Sequence, residues 1–215
     1  MSKLPGLPKV AKAALVVFDP PNPVPTVITF QYNPGTISRD IKASAVEGGA
    51  RSDAFRLKEA PVETLKMDAQ FDATDKLAKG DPLVVKAGIY PELASFEMLI
   101  APKSQTVIAN TALLATGTIE ILPAAAPFTI LVWGQRVLPV RVTGFSISEE
   151  AFDTNLNPIR ATVSLDFTVL TYSDLERAHP GYAMYLGHQI VKETLGYQAR
   201  GTNAASILSQ KISAN

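Results

Sequence analysis

The stretch 127-PFTILVWGQRVLPVRVTGFSISEEAFDTNLNPIRATVSLDFTVL-170 decides the fold class. It reads as a long paired β unit. Within 159-IRATVSLDFTV-169 every odd position is apolar (Ile159, Ala161, Val163, Leu165, Phe167, Val169) and every even one polar. A period of two places one row on a core and the other toward water or another subunit. Upstream, residues 137–148 predict a strand with a fault in it. Leu138, Val140 and Val142 are even, whereas Phe145 and Ile147 are odd. The parity changes at Gly144, where a β-bulge is expected.

Working outward, residues 15–18 and 27–32 read as two strands joined by the connector 19-DPPNPVP-25, whose prolines cannot donate to a ladder. Ile28, Phe30 and Tyr32 share one parity, facing the core. Asn33-Pro34-Gly35 makes a turn and residues 36–42 return as a strand. Residues 43–60 are small, polar and glycine-containing, so a loop is expected. In residues 62–71, Leu65, Met67, Ala69 and Phe71 alternate with Thr64, Lys66, Asp68 and Gln70, a second clear strand. Residues 72–88 read as another polar loop.

Ile89, Leu93, Phe96 and Ile100 then fall at helical spacing, with Pro91 in the first turn and Pro102 as the stop. Residues 103–127 suggest one or two short strands ending in the connector 123-PAAAP-127. Past Ser173, Tyr182, Tyr185, Leu186, Gln189 and Ile190 form a helical stripe opening near Pro180, and a second short helix is expected at 204–212. The expected organisation is a β domain over 1–174 with a helical extension over 175–215.

Composition narrows the chemistry. Lys plus Arg and Asp plus Glu are 20 each, so no global field steers a polyanion and nucleic-acid binding is disfavoured. There is no cysteine, which removes disulfides, thiol catalysis and thiolate metal sites and fits cytosolic synthesis. The apolar run 13–18 ends at Asp19-Pro20, short of the roughly 7–15 residues of a secretory h-region. No stretch approaches the roughly 20 apolar residues of a membrane span, so a soluble product without membrane insertion is expected.

The titratable residues do not assemble into a familiar site. His179 and His188 lack the i,i+4 spacing and nearby Cys of a zinc site. Asp153-Thr154-Asn155-Leu156-Asn157 resembles the opening of a calcium loop, but Pro158 stands where that loop needs Gly and Ser164 where it needs Glu. A polar turn with Asx hydrogen bonds explains it better. Glu149 and Glu150 are adjacent and point to opposite faces of a strand. Gly144-Phe145-Ser146-Ile147-Ser148 lacks the second glycine of a nucleophile elbow, and Gly48-Gly49 is not followed by the Lys-Ser or Lys-Thr of a P-loop. The expectation is a non-enzyme without cofactor or metal. Trp133-Gly134 at a strand end has two readings, a core Trp beside a turn glycine or an anchor at a subunit contact.

The order Phe30-x-Tyr32-Asn33-Pro34, Trp133-Gly134, Phe152-Asp153 and Asn157-Pro158-x-Arg160-Ala161 resembles the tube-protein family of contractile injection systems over roughly residues 10–172. The members it resembles are the baseplate tube-initiator or adaptor subunits of extracellular, phage-tail-like injection particles. Many members have Gly where this chain has Asn157, and both residues tolerate a left-handed turn. Several carry a C-terminal peptidoglycan-binding LysM module, absent from the pattern of 175–215, so that activity is not carried over.

The resemblance implies a mainly β (α+β) fold: a phage tail-tube-like barrel or sandwich of two antiparallel sheets with one flanking helix and, here, a helical tail. It implies a hexameric ring joined through sheet edges, with the inner-tube protein, the spike or hub protein and other baseplate subunits as partners. The twelve motif residues are the implied assembly candidates, and the loops 43–60 and 72–88 the expected contacts with neighbouring rings. Alternatives are a tube terminator, a bulk tube subunit, or, in another class, a β-sandwich ligand-binding module. The last needs an exposed aromatic platform, whereas Tyr32, Phe71, Phe145 and Phe167 all fall on core parities.

Overall fold

The computed structural model describes residues 11–20, 22, 24–45, 56–117 and 125–212, with side chains described as far as residue 199. The strands are β1 (Ala14–Phe18), β2 (Thr26–Thr29), β3 (Ile37–Lys42), β4 (Val62–Asp72), β5 (Phe128–Trp133), β6 (Arg136–Phe152) and β7 (Pro158–Val169). The helices are α1 (Thr74–Ala78), α2 (Pro82–Ala87), α3 (Tyr90–Glu97), α4 (Ser104–Ala115) and α5 (Pro180–Ile212). The class is mainly β within α+β, as the sequence implies.

The pairing is continuous and antiparallel, giving one seven-stranded sheet in the order β2-β1-β5-β6-β7-β4-β3 rather than two separate sheets. This sheet curls on itself. Just past β2, the Gln31 side chain donates to the Asp72 carbonyl (2.6 Å) and accepts from the Asp72 amide (2.9 Å) at the end of β4. β2, at one end of the order, is thereby brought to β4, next to the other end, across one core, which joins Leu15 of β1, Leu131 of β5, Val163 of β7 and Leu65 of β4.

β7 follows its sequence pattern. Ala161, Val163, Leu165, Phe167 and Val169 are at most 1% exposed, while the even positions sit on the outer face. In β6 the register slips between Val142 and Gly144, so the bulge lies at Thr143–Gly144 where the parity changes. A second slip at Glu149–Ala151 is not visible in the apolar pattern. The hairpin between β5 and β6 is a two-residue loop, and Gly134 takes φ 57° there, a conformation favouring glycine.

Several expectations need correction. Residues 72–88 are not a polar loop but hold α1 and α2. Asp81 caps α2, accepting from the Leu83 amide at 3.0 Å and the Val84 amide at 3.4 Å, with Pro82 in the first turn. Gly88 ends α2 at φ 58°. Residues 104–115 are the helix α4 instead of strands. Ala109, Ala112, Leu113, Leu114 and Ala115 favour that choice locally.

In α3 the buried row is Ile89, Leu93, Phe96 and Leu99. Ile100 is 48% exposed, because the helix ends at Glu97 and the following turn rotates Leu99 inward. Tyr32 is 52% exposed despite its parity with Phe30, since β2 stops at Thr29 and the alternation lapses. The helix expected at 204–212 is the continuation of α5. In α5 the inner face is Gly181, Tyr185, His188 and Lys192, whereas Leu186 and Ile190 are 40% and 57% exposed. Within the loop 43–60, residues 46–55 lie outside the described residues; its base is closed by an Ala45–Leu57 bridge.

Candidate assembly surface

The twelve motif residues divide by position. Phe30 is fully buried and stacks on Phe96 of α3 at 6.4 Å, which in turn meets Phe71 edge-on at 5.5 Å. Asn33 clips the chain ahead of β1. Its Oδ1 accepts from the Ala13 amide at 2.9 Å and its Nδ2 donates to the Ala11 carbonyl at 2.8 Å. Pro34 is buried. Trp133 is half-buried against the core and shares a crevice with Arg39, Arg136 and His188.

At the β6–β7 turn, the Asp153 carboxylate accepts from the amides of Asn155 (2.7 Å) and Asn157 (2.8 Å) and from Asn157 Nδ2 (2.8 Å). These bonds, Asn157's first, hold Asp153 below the usual carboxylate range. The Asx turn expected from sequence is therefore present, but its left-handed residue is Leu156 at φ 64°, not Asn157. Asn157 precedes a proline, which disfavours helical backbone angles there. Phe152 stands 49% exposed beside this turn.

Pro158 is buried, and its carbonyl accepts from the Ile89 amide at 2.8 Å. A Cβ on Gly88 would lie 2.0 Å from that same oxygen. The turn of the Asn157-Pro158 element thus seats on α2 through a glycine that sequence reading did not single out. A glycine six residues past Pro82 of the Asp81-Pro82 helix start was the available signal.

Tyr32 and Arg160 come together although far apart in sequence. They line one surface depression of about 350 Å3 with Gln70, Asp72, Glu150 and Thr162. Arg160 donates from Nε (3.0 Å) and Nη2 (2.8 Å) to Asp72 Oδ2. Thr162 donates to Glu150 Oε1 at 2.8 Å. Asp72 is held below the usual carboxylate range, chiefly by bonds from Thr74 and then by Arg160. Ala161 lies beneath, fully buried.

This depression is one corner of a wider polar face. Thr64, Lys66, Asp68, Gln70 and Asp72 of β4 stand opposite Thr168, Asp166, Ser164, Thr162 and Arg160 of β7, with a Lys66–Asp166 ion pair at 3.3 Å. Such a face with paired charges supports polar contacts. β2 and β3 are the two sheet edges, each with one side unpaired within the sheet.

A buried charge cluster was missed. Glu63 is 2% exposed; its Oε1 takes Arg39 Nε at 2.8 Å and Nη2 at 2.6 Å, and Lys192 of α5 lies 3.5 Å from Oε2. The available signal was a glutamate on the apolar parity of the strand holding Leu65, Met67, Ala69 and Phe71. Nearby, burial first and Lys192 second push the His188 imidazole below its ordinary value. Burial and Glu63 push the Tyr185 phenol up. The cluster ties α5 to β3 and β4.

Among the described residues no helix is long and apolar enough to cross a membrane. A search of curated proteins finds no match for the chain. A family model does match: contractile injection system tube protein, over residues 9–178. That span takes in every strand, the α1–α4 segment and the whole depression around Tyr32 and Arg160, and stops just before α5. Tube proteins are structural components that assemble with copies of themselves and other subunits of the injection system, not enzymes. With a curled antiparallel sheet and most of its length matched, this chain belongs to the contractile injection system tube protein family.

Proposed function

We propose that this chain forms a ring at the junction between the spike and the inner tube of an injection particle, where it templates tube assembly. The observation that carries this reading is the place where the family match ends. It stops at residue 178, and α5 begins at Pro180. A body of tube-protein type is therefore followed by an added long helix. A bulk tube subunit would have to fit that helix into every layer, whereas a single adaptor ring has only to fit it once. Residues 1–174 are the ring-forming body in this reading and 175–215 the added extension.

The ring is hexameric and closes through head-to-tail contacts between neighbouring sheet edges, with β2 of one copy near β3 of the next. The segments 43–60 and 72–88 meet the rings above and below: the inner-tube protein on one side, the spike or hub protein and other baseplate subunits on the other. The mechanism is passive. A rigid collar presents edges and a polar face in the register that the first tube layer needs, and a separate sheath supplies the energy of injection. Assembly takes place in the cytoplasm, before the particle is released or attached to a membrane.

Electron microscopy of particles purified from cells expressing the whole gene cluster, with and without this chain, tests the role. An initiating ring predicts loss of assembled tube and sheath on deletion, restored by complementation. Particles of normal length and function without the chain would remove the role. Tubes of uncontrolled length would indicate a terminator instead.

A further inference from the structure

Successive residues of an α-helix turn by about 100°, so three faces of α5 can be assigned. Gly181, Tyr185, His188 and Lys192 form the face on the barrel. Leu186, Ile190 and Tyr197 stack on a second face and are 40%, 57% and 72% exposed. Met184, Val191 and Leu195 stack on a third, about 140° from the second by the same rotation. Val191 and Leu195 are 54% and 58% exposed, while Met184 is half-buried in the wall of an apolar groove. That groove, about 630 Å3, lies between the outer side of β1 and β5, the start of α4 and the first turn of α5, with Phe18, Phe128, Ile130 and Pro180 around it and the Asp19–Lys103 ion pair (2.7 Å) in its lining. The third face therefore continues the groove along the helix. A helix with one neighbour needs one apolar stripe; this one has two more.

We propose that α5 is a contact between copies, in which the Leu186–Ile190–Tyr197 ridge of one subunit seats in the groove and along the Met184–Val191–Leu195 stripe of the next. The proposal deepens the ring reading and rests on it. Both halves of the contact are present in one chain, on different sides of one helix. The ridge cannot fill its own groove, because the first turn of α5 is that groove's wall. A ridge with apolar positions at i and i+4 is the form that helix-in-groove recognition takes. Because donor and acceptor surfaces differ, the contact is heterologous, and repetition closes a ring when the rotation permits. Among the described side chains of α5, Glu193 is the charge on the ridge side, and Gln189 Nε2 donates to its Oε1 at 3.4 Å.

Two adjacent residues separate the two faces. Ile190→Glu spoils only the ridge and Val191→Glu only the receiving stripe, and both positions are more than half exposed, so the fold tolerates either. Native mass spectrometry of the full chain reads the outcome. Wild type forms closed oligomers, while each variant alone loses self-association by about tenfold or more. An equal mixture restores dimers holding one copy of each variant, since one intact α5 contact forms between them. Closed oligomers from both variants, as in wild type, would overturn the α5 contact and leave the ring reading standing. A wild-type chain that stays monomeric at every concentration would overturn both. The chain has no cysteine, so a second measurement is free of background: Ile190→Cys copies mixed with Thr106→Cys copies, Thr106 of α4 lining the groove, cross-link between subunits with a short bismaleimide. Absence of that cross-link in an oligomer that does form also overturns the contact.

Discussion

Gly88→Ala is the substitution for which the structure gives the clearest magnitude. Gly88 sits at φ 58° and ψ −134°, a region that residues with a Cβ rarely enter. Forcing alanine there costs about 1–3 kcal/mol in backbone strain. The new Cβ would stand 2.0 Å from the Pro158 carbonyl oxygen, a backbone atom that no rotamer change can move aside. Relief requires the Asn157–Pro158 turn to retreat, which breaks the 2.8 Å bond from the Ile89 amide to that carbonyl. A lost, buried backbone bond adds about 1–3 kcal/mol.

The sum is about 2–6 kcal/mol, which at about 2–4 °C per kcal/mol for a chain of this size lowers Tm by about 4–24 °C. Gly134→Ala is the internal control. Its φ of 57° is also positive, but nothing lies within 4 Å of the added carbon, so only the left-handed backbone cost of about 1–2 kcal/mol is expected. Urea unfolding of the purified variants under matched conditions gives both values. If Gly88→Ala proves no more destabilising than Gly134→Ala, the seating of the β6–β7 turn on α2 is not what the close approach implies.

Other substitutions test other links. Glu63→Gln leaves Arg39 and Lys192 without their carboxylate; because both cations are about one-third exposed, the loss is about 1–3 kcal/mol rather than that of a fully buried pair. Hydrogen exchange should quicken in α5 more than in β7, and uniform exchange would contradict the anchoring role. Arg160→Glu breaks an exposed pair with Asp72, so stability changes by about 1 kcal/mol or less while particle assembly drops; normal particles would count against a role for the Tyr32–Arg160 depression. The lowered His188 value means that the unfolded chain binds more protons than the folded one just below the ordinary histidine value, about 6.5. Stability therefore declines as pH falls through that region and recovers above it, and His188→Gln should flatten this slope in urea unfolding.

Much of the sheet was legible because burial of one face imposes a period of two. Residues 159–169 and 62–71 kept their alternation in β7 and β4, and the parity break at Gly144 located a bulge within one residue. The same rule misled at Tyr32, where β2 had already ended and Gln31 was committed to the Asp72 backbone. It was silent at Glu150, since Glu149 and Glu150 are both exposed and no apolar row marks the slip. The helix α4 was read as strand because a short segment of Thr, Val, Ile and Ala has no decisive period.

By itself the sequence determined the strands with a buried row, the turn at Asp153, the helical stretch after Pro180 and the likeness to a tube protein. Each of these depends on residues close together in the chain. Only the tertiary structure decided that the strands join in one curled sheet, that Tyr32 meets Arg160, that Gly88 receives Pro158, and that Glu63 holds α5 through Lys192. Those contacts join residues from distant parts of the chain, and a periodicity records which face is buried without recording what it is buried against.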